Sequence, residues 1–252
     1  MNIEEILMIA FVLFIGSTLQ STVGFGYSLF GIPSLVWIGI PLPETLVIVA
    51  TSSFIQTLIG IKHLYNHIPW KITTIAIIIR LTTTIIGILV LVKISRLNSN
   101  EIKLIVGCTL LFVVLLQMLW KPKPTKYVRP IWGFLAFSSS GFLTGTVGLG
   151  GVPLILWTIS HKWTSKKIRA FLFGLFTFSA PLNILVLYIA FGERILSGII
   201  IGVVLSISIF LGTYIGLPIG DRLSHSILQQ IAYLLLIIIA IGSIIPQMVS
   251  YL

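Results

Sequence analysis

Acidic residues are scarce in this chain. Asp and Glu together number 6 among 252 residues, and all of them (Glu4, Glu5, Glu44, Glu101, Glu193 and Asp221) stand at the ends of hydrophobic segments. The histidines, His63, His67, His161 and His225, are scattered near segment ends with no metal-ligand spacing. Nothing inside an apolar run can therefore form an acid–base pair or carry a proton, which argues against an intramembrane enzyme and against a metal site. Cysteine is scarcer still: Cys108 has no second cysteine, so a disulfide or a Cys-rich metal site within the chain is excluded. Its place in an apolar run reads as that of a buried small hydrophobe. Charge of either sign makes up only 9% of the chain against 57% hydrophobic residues, with a mean hydropathy of +1.12. One water-soluble core cannot hide that much apolar surface, so the composition is that of an integral membrane protein.

What the chain does have is long apolar runs, at residues 44–61, 72–92, 102–120, 170–192, 195–219 and 226–249. Each has about 18 to 25 residues, enough to cross a hydrocarbon core of roughly 30 Å as a helix. None alternates with a strand period, which argues against a β-barrel. The first hydrophobic segment opens "MNIEEILM", with two acids, no Lys or Arg before it and no small-residue cleavage site after it. It is expected to be a retained span rather than a signal peptide. The net charge of +10 resides in short loops, chiefly "WKPKPTKYVRP" (120–130) and "HKWTSKKIRA" (161–170), where positive charge fixes membrane orientation. The expected partner is a lipid bilayer and not a nucleic acid.

Two other segments are apolar but interrupted. "STVGFGYSLFGIP" (21–33) packs three glycines and a proline into thirteen positions, and "GTVGLGGVP" (145–153) nearly repeats it. "GIPSLVW" (31–37) aligns with "GVPLILW" (151–157), pairing Gly31 with Gly151, Pro33 with Pro153 and Trp37 with Trp157 at an offset of 120, whereas "TVGFG" (22–26) matches "TVGLG" (146–150) at an offset of 124. The chain reads as two weakly similar halves, 1–121 and 122–252, that together make one transmembrane domain.

The loop charges indicate how the interrupted segments sit. If each crosses the membrane only once, Lys and Arg divide eight to seven and orient nothing. If each is a re-entrant hairpin, eleven fall on one side and only Lys93, Arg96, Lys103 and Arg194 on the other, a clear positive-inside pattern. A hairpin plus three spans is an odd number of crossings, so the second half enters from the side opposite to the first. The expected fold is all-α and polytopic, with two inverted-topology repeats, each a re-entrant or broken-helix hairpin plus three transmembrane helices; counting one limb of each hairpin as a span gives eight membrane helices. Both termini then face outward and both large basic loops face the cytoplasm.

Glycine permits such breaks, and a half-helix starting after one presents free N–H groups and a positive dipole end that favour an anion. The expected substrate residues are therefore Gln20, Ser21, Thr22, Gly24, Gly26 and Tyr27 around the first break, and Thr144, Thr146, Gly148, Gly150 and Gly151 around the second. Close helix packing is the competing use of such glycines. That use suits "GTYIGLPIG", where Gly212, Gly216 and Gly220 recur every four residues, and which would also serve as a homodimer face. Arg80, in "AIIIRLTTTIIG", lies well inside a span where no carboxylate is available. A substrate anion would supply its counter-charge, or it snorkels or donates to carbonyls at a hairpin tip. Thr51, Ser52 and Gln56 in one span and Asn183 in its counterpart are the remaining polar candidates for the pathway, with bonding to their own helix backbone as the alternative.

With these motifs in place, the chain resembles the TauE/SafE family, the sulfite exporter type of membrane transporter. The resemblance rests on "TVGFG...GIP", "TVGLGGVP", the "VATSS" run (49–53) and the overall length. It implies a cytoplasmic-membrane permease for a small anionic substrate, sulfite or a small organosulfonate, with no cofactor. Ion-coupled uptake of an organic anion and a membrane subunit that docks a soluble partner are the alternatives. The first copy departs from the second in reading Gly26-Tyr27 against Gly150-Gly151 and in its four extra residues. In a Cys108→Ala background, Ile40→Cys is expected to react with an impermeant thiol reagent from outside the cell; labelling from the cytoplasm alone would overturn the hairpin arrangement.

Overall fold

A computed structural model describes residues 2–23, 26–120, 122–222 and 225–249. Gly24, counted among the expected substrate residues, and the side chains of His63, Asp221 and His225 lie outside the described residues. In the first half, α1 (Ile3–Val23) and α2 (Tyr27–Ile38) flank the first glycine motif, and α3 (Leu42–Leu64), α4 (Trp70–Ile94) and α5 (Ser99–Leu119) follow. In the second half, α6 (Pro130–Val147) and α7 (Gly151–Ile159) flank the second motif, and α8 (Ser165–Phe191), α9 (Leu196–Val204), α10 (Ser206–Arg222) and α11 (His225–Val249) follow.

Local chemistry sets several of these boundaries. Asn98 and Glu101 form a reciprocal capping box at the start of α5, and the Thr164 hydroxyl accepts from the Lys167 backbone N–H at the start of α8. Pro130 opens α6 at a position where its missing N–H is not needed. Four helical stretches are long and apolar enough to cross a membrane: Ile3–Thr22, Trp70–Ile94, Ser99–Leu119 and the 40-residue Ser165–Val204. By contrast α2 and α7, with 12 and 9 residues, extend only about 18 and 14 Å.

One expected span, 195–219, is two helices rather than one. At Leu205 the ladder tightens, and the Ser208 N–H returns to the Leu205 carbonyl. The two pieces answer to different neighbours: Gly202 of α9 lies on Ile48 and Thr51 of α3, whereas Gly212 of α10 lies on Phe14 and Ser17 of α1. A tight turn between them lets each face its own partner. Cys108, expected to be buried, is exposed. It shares an outward stripe of α5 with Phe112, Leu115 and Leu119, and in a helix apolar all round, composition does not distinguish the lipid side from the protein side.

The closest helix pairs are α4 with α6, α1 with α10, α5 with α11 and α3 with α8. Their directions follow from which residues touch. Gly141 sits against Arg80 and Thr83, and Gly145 against Thr84, Gly87 and Ile88, so α4 and α6 run parallel. Gly212 faces Phe14 and Ser17, and Gly216 faces Thr18 and Ser21, so α1 and α10 also run parallel. The Arg194–Glu44 ion pair at one end of α3 and α8, and the Ile61–Ile68–Ala170 cluster at the other, make that pair antiparallel. Gly212 and Gly216, offered by the sequence as a dimer face, thus pack within the chain.

Between spans there is little hydrophobic drive in a bilayer, so close backbone approach through small residues carries the packing. A Cβ on Gly87 would lie 2.5 Å from the Phe142 carbonyl oxygen and 2.9 Å from the Gly145 Cα. Gly87→Val is expected to lower the denaturation midpoint in detergent by the equivalent of about 1–3 kcal/mol, a typical overpacking cost. Gly242→Ala, where an added Cβ meets nothing within 4 Å, is the matched neutral control.

Candidate functional site

The last glycines of the two motifs, Gly26 and Gly150, differ in backbone conformation. Gly26 takes φ +114° immediately before α2, a conformation that side-chain-bearing residues rarely adopt. In the second motif it is Gly148, at φ +74°, that ends α6, while Gly150 has an ordinary φ of −78°. The Gly148 and Leu149 N–H groups return to the Thr144 and Leu143 carbonyls, which satisfies the last turn of α6. Gly150 then passes over that turn so closely that a Cβ there would strike the Thr144 hydroxyl and the Ser140 carbonyl. Both short helices begin without a side-chain cap, so their first N–H groups carry the partial positive charge of the dipole uncompensated.

These two helix starts border one cavity of about 130 Å³, several times the 10–15 Å³ or so that a single water requires by the same measure. Gln20, Gly26, Tyr27, Ser28, Gly150 and Gly151 line it from the breaks; Ser53 does so from α3, Arg80 and Thr84 from α4, and Ser179 and Asn183 from α8. The rest of the wall is apolar, including Leu29, Ile32, Leu46, Ile155 and Leu172.

Arg80 is the charged centre of the cavity. It is 4% exposed and is the single buried charged side chain among the described residues. Its Nε donates to the Ser140 hydroxyl at 3.1 Å, one terminal nitrogen to Ser179 at 2.6 Å and the other to Thr144 at 2.8 Å. The guanidinium also lies 5.5 Å from the centre of the Phe176 ring, within range of a cation–π contact. A guanidinium has five N–H donors, so two remain without a protein acceptor among the described residues. All three acceptors are neutral hydroxyls. The positive charge is oriented but not neutralised, unlike a buried ion pair. Asn183 adds a second unsettled group, a buried side-chain oxygen without a partner.

The expected substrate residues divide accordingly. Gln20, Gly26, Tyr27, Arg80, Thr144, Gly148, Gly150, Gly151 and Asn183 meet at the cavity. The others do not reach it. Ser21 and Thr22 donate to the Ser17 and Leu19 carbonyls of their own helix, and Thr146 does the same to Phe142. Ser52 stands behind the wall, 2.6 Å from the Tyr27 hydroxyl, tying α2 to α3. Thr51 is buried against Gly202 of α9, and Gln56 donates to Thr213 of α10 at 3.0 Å. Helical periodicity explains Thr51 and Ser52, which lie off the face of α3 shared by Leu46, Val49, Ala50 and Ser53; Gln56 is on that face one turn beyond Ser53, where it meets α10 instead. The hydroxyls of Ser140, Ser179 and Thr144, rather than carbonyls at a tip, take three of the Arg80 donors. Ser140 and Ser179 were not singled out from the sequence; the signal was a hydroxyl inside an otherwise apolar run, in "FSSSG" and "FSAP".

Because the three hydroxyls orient a charge that nothing neutralises, the two sides of the contact are expected to respond differently to mutation. Ser179→Ala, which strands a buried charged donor, is expected to cost about 1–3 kcal/mol of stability. Arg80→Met, which removes the charge and keeps an apolar stem, is expected to leave the unfolding midpoint unchanged or raise it.

Residues 8–243 match the family profile described as Sulfite exporter TauE/SafE. The chain is similar, at 25% identity over 179 residues (68% of this chain and 67% of the relative), to a protein of Cupriavidus necator (strain H16) named "Probable sulfite/organosulfonate exporter TauE". No solved structure matches the chain significantly. With long apolar helices throughout, and a family match running from α1 to α11, the chain belongs to the sulfite exporter TauE/SafE family of membrane transport proteins.

Proposed function

We propose that this chain is a permease that moves a small monoanion, sulfite in its singly charged form or a small organosulfonate, out across the cytoplasmic membrane, with the acid group held between the two helix breaks and Arg80. The observation that carries this reading is a buried guanidinium with three neutral partners and two spare donors, facing a cavity bordered by two uncapped helix starts. A single positive charge balances a single negative one. A dianion would leave net negative charge in a largely apolar wall, which is costly at low dielectric. The apolar lining suits the hydrocarbon part of a sulfonate.

The arrangement of helices supports an inverted-topology repeat of 1–121 and 122–252. Exchanging the halves turns the α4–α6 pair into the α10–α1 pair and maps the α3–α8 and α5–α11 pairs onto themselves. Parallel α4–α6 and α1–α10 together with antiparallel α3–α8 are the directions that re-entrant hairpins of opposite orientation require. In that frame both termini face outward and the basic loops face the cytoplasm. Arg80 lies 10 residues along the 25-residue α4, near the midplane where such proteins bind substrate. A cytoplasm-negative potential then favours anion exit by about 2.3 kcal/mol per charge per 100 mV, so export needs no coupled proton or Na⁺.

The test is sulfite flux in proteoliposomes. An imposed potential is expected to drive flux without a pH gradient and without Na⁺. Because sulfite loses its second proton near neutral pH, flux is expected to fall as the pH on the loading side rises, whereas flux of a methanesulfonate-type monoanion stays flat. Arg80→Met is expected to raise the apparent KM for sulfite roughly thirtyfold, equivalent to about 2 kcal/mol for removing one partner of a buried charge pair. Flux that requires a pH gradient or Na⁺, or that survives Arg80→Met unchanged, would sink this mechanism.

A further inference from the structure

Away from the Arg80 cavity, a shallow groove of about 440 Å³ opens on the protein surface where the first turns of α4 and α8 approach the α7–α8 loop. Its rim carries two lysines, Lys71 of α4 and Lys167 of α8, and its floor is Pro69, Ile72 and Ile75, with Trp163 as one wall. The Lys167 ammonium stands 4.8 Å from the centre of the Trp163 ring. Trp163 is itself held edge-on against Trp157 and Phe171, so this wall is part of the aromatic core rather than a free side chain.

We propose that this groove binds an anionic phospholipid of the leaflet that faces the basic loops, with the phosphate between Lys71 and Lys167 and an acyl chain along the outer face of α4. Three observations converge on that occupant. First, the rim is charged and unopposed: the only ion pair among the described residues is Arg194–Glu44, far from here, and the sequence has no Asp or Glu between Glu101 and Glu193. Both lysines lie in the first turn of a helix, where a cation is disfavoured unless an anion joins it. Second, the charge continues into an apolar track. Lys71, Ile75 and Ile78 fall at i, i+4 and i+7, and Ile75 and Ile78 are 46% and 59% exposed, followed along the same helix by exposed Ile85, Ile86 and Leu89. A soluble phosphate has no use for such a track; a diacyl chain does. Third, Trp163 supplies the ring that sits at headgroup level in membrane proteins, already polarised by a lysine.

Native mass spectrometry of the purified protein, titrated with phosphatidylglycerol and with phosphatidylcholine of the same acyl chains, tests the assignment. Phosphatidylglycerol is expected to be retained in preference to phosphatidylcholine. Lys71→Gln/Lys167→Gln is expected to reduce its retention by at least about fivefold, the worth of one basic residue near an anionic surface, while leaving phosphatidylcholine retention unchanged. Lys126→Gln/Lys162→Gln removes the same charge from the neighbouring basic loops and is expected to keep the preference. Equal retention of the two lipids, equal losses from both double variants, or competition by inorganic phosphate as effective as by the lipid would each overturn the proposal. Both lysines lie outside the packed core, and unchanged elution on size exclusion verifies that the variants are folded.

Discussion

The structure is organised around one positive charge that cannot leave the membrane interior and has no negative charge to meet. Arg80 sits in the middle of a 25-residue apolar helix, and the protein answers it with hydroxyls from two other helices rather than with a carboxylate. Three of its donors are fixed, which sets the direction of the guanidinium. α6 must then run close enough beside α4 for Ser140 and Thr144 to reach it, which is why glycines line that contact on both helices. The same Thr144 and Ser140 turn supports Gly150, so the second chain break is positioned by the residues that position the charge.

The two halves carry similar glycine motifs and differ in what surrounds them. Among the described residues, Gly26 of the first break is left-handed, whereas its counterpart Gly150 in the second is not. The charge also belongs to one half only. Where α4 runs unbroken past Arg80, α9 and α10 meet at the tight turn of Leu205. The paired tryptophans diverge as well: Trp157 is 6% exposed and packs on Phe137, while Trp37 is 53% exposed. On the two-repeat reading proposed above, the cavity with its single arginine belongs unequally to the two halves.

Much of this was legible in the sequence, for physical reasons. Apolar runs of spanning length, glycine clusters inside them and an arginine without an acid are signals that the bilayer itself makes strong, because each is costly there unless it has a use. The all-helical membrane fold, the family and about half of the expected cavity residues could be read that way. Side-chain direction could not. Thr51, Ser52 and Gln56 are as polar as Ser53, yet only Ser53 faces the cavity, and a helix that is apolar on every side gives no phase from which to tell them apart. Cys108 was misplaced for the same reason. The hydroxyls of Ser140 and Ser179 carry no signal of their own in the sequence, because serine in a membrane helix commonly satisfies itself on its own backbone; the neighbouring arginine is what sets these two apart.

The segment joining the halves is also less free than its composition suggests. Proline and lysine make "WKPKPTKYVRP" look like an open tether, but Thr125 pairs with the loop after α7 as a short parallel bridge: its N–H donates to the Ser160 carbonyl and its own carbonyl accepts from Lys162. The connector is thus clasped to the half it leads into. In any rocking of one half against the other, as the proposed repeats would have it, the residues from Thr125 onward travel with the second half as cargo.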